Sequence, residues 1–236
     1  MSFIITVYTN EGIIMASDSR ITYTTTETLS DGTKQKNFGI QITDTTYKTF
    51  LCTSRIGIST CGVSSINQKP IAGFIEDFIS QKTDENSTVE TISQGLIDYF
   101  CQFNPVPKTK FIVAGYNSAD TVPKVSKVSI ATQTITNTDT SNSGATWDGE
   151  TEVLIKLIKP VALKDSNGTY QDLSCHSIGF NYFTLQDAIN FAKYAVDTTI
   201  KTMSFQDCVK TVGGPIDILA IKPNKAVWIQ RKELHP

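Results

Sequence analysis

Two apolar, β-branched runs stand almost at the start of the chain, in "MSFIITVYTNEGIIMASDSR". Residues 3–9 and 12–17 carry the side chains that strands favour, and Asn10-Glu11-Gly12 between them is a strong hairpin signal. Most chains leave their first residues loose. A strand starting at residue 3, with Ser2 before it and Asp18-Ser19-Arg20 closing the return, implies that the terminus itself is needed.

The rest of the chain alternates between the two periodicities. Residues 20–46 are polar and Thr-rich with a turn at Asp31-Gly32, and read as an extended loop or a protruding hairpin. Short strands are expected near 47–52 and 55–61. Then Ile66, Ile71, Phe74, Ile75, Phe78 and Ile79 fall at helical spacing, as do Val89, Ile92, Leu96, Ile97 and Phe100, the second set behind a Thr88 N-cap. Strands return in "KFIVAGYN" (110–117) and "KVSKVSIAT" (124–132), followed by a Thr/Asn/Ser-rich turn region to Gly144. A short helix over 150–158 comes next. A long helix from Leu185 to about Met203 buries Ala188, Phe191, Ala192, Ala195, Val196 and Thr199. "GGPIDILAIKPNKAVWIQR" closes the pattern as a hairpin turning at Pro223-Asn224. This order predicts an α+β protein: two antiparallel sheets stacked face to face with helices on both outer faces, a four-layer αββα sandwich. No repeat or linker divides it, so residues 1–236 are expected to form one domain.

Composition narrows the function. The 21 basic and 23 acidic residues leave a net charge of -2, so there is no electrostatic case for nucleic acid or an anionic membrane. No apolar run approaches the ~20 residues of a membrane helix. The start lacks the basic flank and cleavage site of a secretory signal, and a cytoplasmic protein is expected. Cys52, Cys61, Cys101, Cys175 and Cys208 are odd in number and have no metal spacing, which suits reduced thiols. The two histidines, His176 before an apolar strand-like step and His235 in the tail, offer neither a zinc site nor a His-dependent triad. No metal or cofactor is implied.

Several of these segments together resemble the proteasome-type N-terminal nucleophile (Ntn) hydrolases, which include proteasome β-subunits and the peptidase subunit of bacterial two-component ATP-dependent proteases. In that family the mature chain begins with a nucleophilic Thr, and a hairpin ending like "GIIMASDSR" sets an Asp beside it. Counting back from Asp18 places Ser2 at the nucleophile position. The family's Lys stands fourteen residues before a Gly that opens a helix, a spacing matched by Lys48 and Gly62 in "YKTFLCTSRIGISTCG". "FIVAGYN" matches the central strand, "SIGF" the strand leading into the long helix, and "GGPIDILAI" the last sheet. The resemblance implies catalytic roles for four residues. Ser2 is the nucleophile, with its own α-amine as base once Met1 is removed. Lys48 lowers the pKa of that amine, Asp18 orients Lys48, and the Gly62 N–H faces the oxyanion. It also implies a homo-oligomer, possibly a ring, acting on a peptide or amide; any ATPase partner is left unspecified.

The chain departs from the family pattern in several places. Ser replaces Thr at the nucleophile. The segment between Arg20 and Lys48 is long, and Lys34 sits at the ungapped distance; Lys48 is preferred for its strand-like surroundings and its spacing to Gly62. Where the family has a Gly-Ser-Gly-Ser-like turn, this chain reads Gly179 to Tyr182 ("GFNY"), and Asp207 is out of register with Gly213-Gly214. "GATWDGETEVLIKLIK" (144–159) reads first as an inter-subunit contact around an exposed Trp147, and second as a substrate-facing segment. With Met1 attached, Ser2 has an amide in place of an amine. The chain would then be a proteasome-like scaffold that assembles or binds without chemistry.

Overall fold

The computed structural model describes residues 2–118 and 120–233. The terminal hairpin forms as expected from β1 (Phe3–Thr9) and β2 (Gly12–Ser17). The Thr-rich stretch is a hairpin, β3 (Ile21–Thr28) and β4 (Lys34–Thr43), resolving the loop-or-hairpin alternative. Next come β5 (Thr49–Thr53), β6 (Ile56–Gly62), the two-residue strands β7 (Ser65–Ile66) and β8 (Lys69–Pro70), and helices α1 (Ile71–Lys82) and α2 (Val89–Phe100). The second half runs β9 (Thr109–Gly115), β10 (Lys124–Ser129), β11 (Thr134–Asn137), β12 (Gly144–Gly149), α3 (Glu152–Ile158), β13 (Ala162–Lys164) and β14 (Tyr170–Asp172). It ends with α4 (Leu185–Phe205) and the hairpin of β15 (Asp217–Lys222) and β16 (Lys225–Gln230).

Two five-stranded sheets are built entirely from antiparallel pairs, in the orders β12-β1-β2-β15-β16 and β11-β10-β9-β6-β5. Every residue of β1 and β2 is buried, and strand alternation explains how. Phe3, Ile5, Val7, Ile14 and Ala16 pack with Ala188, Ala192, Ala195 and Val196 of α4. The alternate residues Ile4, Tyr8, Ile13 and Met15 pack with Cys61, Ile112, Ala114 and Val125 of the second sheet. That sheet turns its other side, through Ile58, Phe111, Val113 and Val128, to Ile75 and Phe78 of α1 and Ile92, Leu96 and Phe100 of α2. The N-terminal strand thus lies inside its sheet, between β12 and β2, with apolar contacts on both faces. Each of its isoleucines contributes roughly 1.5–3 kcal/mol by leaving water.

Local signals set the helix starts. Thr88 and Thr91 cap α2 reciprocally through side chain and backbone, and Thr184 and Asp187 do the same for α4. No helix among the described residues is long and apolar enough to cross a membrane.

Three expectations are corrected. Residues 144–149 are a strand, where a turn region and an exposed segment are expected; β12 pairs with β1 along its length, and Trp147 is half-buried against the α4 core. "SIGF" is not a strand: residues 175–179 lack regular structure and lead into a single 3₁₀ turn, Phe180–Tyr182, so His176 precedes no strand either. The strand expected over 124–132 ends at Ser129.

Candidate active site

Register brings the site together. Ser17 pairs with Ile4 on one side and with Asp217 on the other, so the start of β1, the end of β2 and the start of β15 share one end of the first sheet. Asp18 follows immediately and is completely buried. Its Oδ1 accepts the Phe3 N–H at 3.0 Å and the Lys48 ammonium at 2.8 Å, while its Oδ2 accepts the N–H groups of Arg20 at 3.1 Å and Gly213 at 3.0 Å. Lys48 stands just before β5, is 3 % exposed, and also donates to the carbonyl of Arg20. Burial lowers its pKa, and the attraction and hydrogen bond of Asp18 oppose that shift. Of the two lysines the sequence leaves in play, Lys48 is the one at Asp18; Lys34 begins β4, opposite Thr28 at the far end of the β3–β4 hairpin.

Ser2 is 6 % exposed and lines two clefts that meet at it. Lys48, Tyr47, Thr46, Thr22 and Thr60 line the first; Lys108, Lys110, Asp148 and Gly149 line the second, of about 180 Å³. Cys61 and Gly62 border both. Gly62 is where expected beside Ser2 but does not open a helix. It ends β6 at φ +115°, where a Cβ would come within 2.5 Å of the Lys108 carbonyl, and α1 begins only at Ile71. The helix-dipole contribution expected at this N–H is therefore absent; the tight crossing against β9 fixes the glycine instead.

Cys61 is the rival nucleophile at this junction. Burial, with Asp148 adding to it, pushes its thiol up to about 12, so it holds no thiolate near neutral pH.

Several neighbours escape sequence reasoning. Glu150 donates its N–H to the Ser2 carbonyl at 2.8 Å and takes a hydrogen bond from the Thr211 hydroxyl at 2.9 Å on its carboxylate. Gly149, at φ +94°, approaches so closely that a Cβ would lie 1.8 Å from the Ser2 carbonyl oxygen. These residues hold residue 2 in place; the two segments that depart from the family's auxiliary pattern do not, since Asp207 is exposed beyond α4 and Gly179 caps the 3₁₀ turn. Their only sequence signal is Asp148-Gly149 ahead of the α3 pattern, a common turn pair. Behind Tyr47 lies a second buried pair. Asp217 accepts the Lys232 backbone N–H at 2.8 Å and bonds its ammonium, which sits 4.2 Å from the Tyr47 ring centre. Arg20 reaches Asp18 through its backbone N–H, and its guanidinium bonds Asp44 through two nitrogens at 2.6 and 2.7 Å. Among the described residues no group of three or more His, Cys, Asp or Glu side chains could hold a metal ion.

No protein-family model matches the chain, and no curated protein matches it significantly. Solved structures do. Anbu from Hyphomicrobium sp. strain MC1 is similar at a TM-score of 0.61 with 14% identity, over 98% of this chain and 88% of that one. A Gly-1 mutant of the same protein matches at 0.61 and 15%, over 98% and 86%. At such identity the likeness speaks for the fold alone, which this chain shares with Anbu.

Proposed function

We propose that the chain is an Ntn amidohydrolase, a peptidase acting through Ser2 after removal of Met1, built as a single four-layer αββα domain that assembles as a homo-oligomer. One observation carries the reading: the same oxygen of Asp18 receives the amide next to Ser2 and the ammonium of Lys48. A lysine is thereby held, charged and buried, in the cleft that Ser2 lines. A free α-amine titrates near ~7.7–8.0, and a neighbouring ammonium lowers that by repulsion, leaving the amine neutral enough to act as base. It takes the hydroxyl proton as Ser2 Oγ attacks the substrate carbonyl. The resulting oxyanion collapses to a Ser2 ester, the protonated amine releases the leaving group, and water hydrolyses the ester. Two of the three Lys48 N–H groups serve Asp18 and Arg20. The third has no protein partner among the described residues, in the cleft that Ser2 also lines.

The test is the intact mass of the protein from its own cells, before and after a β-lactone. Loss of one methionine and a single adduct, absent in Ser2→Ala while thermal stability is unchanged, are expected. A non-catalytic scaffold draws support from the near-complete burial of Ser2. It predicts retained Met1, no adduct, and assembly indifferent to Ser2→Ala.

A further inference from the structure

The two clefts that meet at Ser2 differ in charge. In the first, Lys48 is spent on Asp18, and the remaining wall is made of threonines, Ile21, Val63 and other uncharged side chains. The second is walled by Lys108 and Lys110, both exposed, with Asp148 between the sheets. Asp148 is 16 % exposed and its oxygens are occupied: Oδ1 by Lys110 at 3.0 Å and the Gly149 N–H at 2.8 Å, Oδ2 by Lys127 at 3.3 Å. Lys127 also donates to the Trp147 carbonyl at 2.9 Å, which anchors it.

Register explains the cluster. Lys127 of β10 pairs opposite Ile112 of β9, and Lys110 lies two residues before Ile112, so both lysines stand on the face turned to the first sheet. Two like charges on one sheet face repel each other. Asp148, carried in on β12, offsets one of them. The cleft wall, Lys108 and Lys110 against Asp148, carries one net positive charge, and Lys127 behind Asp148 adds a second. Burial raises the Asp148 pKa, but the Gly149 and Lys110 hydrogen bonds outweigh it and keep the carboxyl ionised. Nothing in this arrangement satisfies Lys108, for which no ion pair is formed among the described residues.

We infer that the cleft takes an anionic substrate: a peptide or amide bearing a carboxylate next to the scissile bond, held by Lys108 and Lys110, with its uncharged portion in the threonine-lined cleft. The chemistry rests on the hydrolase reading above; the binding does not. Charges on exposed stems steer and select more than they tighten, and salt screens them.

The experiment measures binding, by fluorescence anisotropy, of two labelled peptides to Ser2→Ala protein, so that turnover is silent. One peptide carries Asp and Glu around a central Leu; the other is its Asn/Gln isostere. The acidic peptide is expected to bind about 5- to 10-fold tighter at ~0.05 M salt, as two partly exposed ion pairs allow, and the preference vanishes near ~0.5 M. Lys108→Gln, which leaves the Lys110–Asp148 pair intact, should lose part of the preference, and Lys108→Gln/Lys110→Gln all of it. Equal affinities for the two peptides, or a preference that survives in the double variant, overturns the inference. Lactone labelling of the parent protein reads the nucleophile separately. An acidic preference without an adduct removes the hydrolase reading and keeps the anionic cleft; an adduct without the preference does the reverse.

Discussion

Four donors converge on Asp18 from β1, the β2 exit, the segment before β5 and the segment before β15. A carboxylate so surrounded is a junction of the fold as well as part of the site. Removing one partner of a buried pair strands the other charge, so Lys48→Met and Asp18→Asn should each cost about 3–5 kcal/mol in urea denaturation, whereas the double variant recovers part of that loss. The pH dependence has a defined sign. Lys48 binds its proton less tightly folded than unfolded, so the unfolded chain holds more protons between the folded pKa and the reference 10.5. Its contribution to stability therefore rises with pH through that window. Lys232, also lowered chiefly by burial, adds a rise of the same sign. Cys52 and Cys61, whose thiols burial raises, contribute with the opposite sign over the same range. The readout is therefore a difference between proteins: the stability change from pH 8 to pH 10 should be less positive in Lys48→Met than in the parent. Cys61 gives a chemical counterpart: with its thiol pushed up to about 12, native alkylation at pH 8 should spare it and modify the exposed Cys175 and Cys208, as peptide mapping would show.

Among the elements, β12 matters more for the chain end than its sequence suggests. Gly149 closes it with no room for a side chain against Ser2, so Gly149→Ala should displace residue 2, abolish the lactone adduct and lower stability by roughly 1–3 kcal/mol. Retained adduct formation in that variant would show that the close approach is not needed. This strand is also where sequence reading falls short. "GATWDG" has two glycines and an aspartate, each poor for strands, and it is strand only because the edge of β1 pairs with it. The β1–β2 hairpin, α1, α2, α4 and the β15–β16 hairpin were legible because their periodicity and turn residues agree with their burial. Asp18, Lys48 and Gly62 were named through the resemblance to the Ntn hydrolases, whose motif spacing they match. Glu150 and Thr211 were not, since they meet between segments 61 residues apart that leave no local signal. The Asp217–Lys232 pair lies at the open end of a hairpin whose periodicity shows the strands but not the pairing beyond them.

For the molecule as a whole, the proposed homo-oligomer is tested by native mass spectrometry of the untagged protein. A mass at a multiple of the 25.9 kDa chain is expected, and a monomer across micromolar concentrations would remove that part of the proposal. The first sheet joins distant partners: β1 pairs with β12, and β2 with β15. Such topologies close loops late and fold slowly. Gly213, which completes the shell of Asp18, and β15, which flanks β2, both come from beyond residue 210. During synthesis, then, a nascent chain shorter than this has its first residues made but not yet seated. Whatever Ser2 does, it cannot do on the ribosome until more than two hundred further residues have followed it out, and by then the protein is folded enough to enclose its own N-terminal residues.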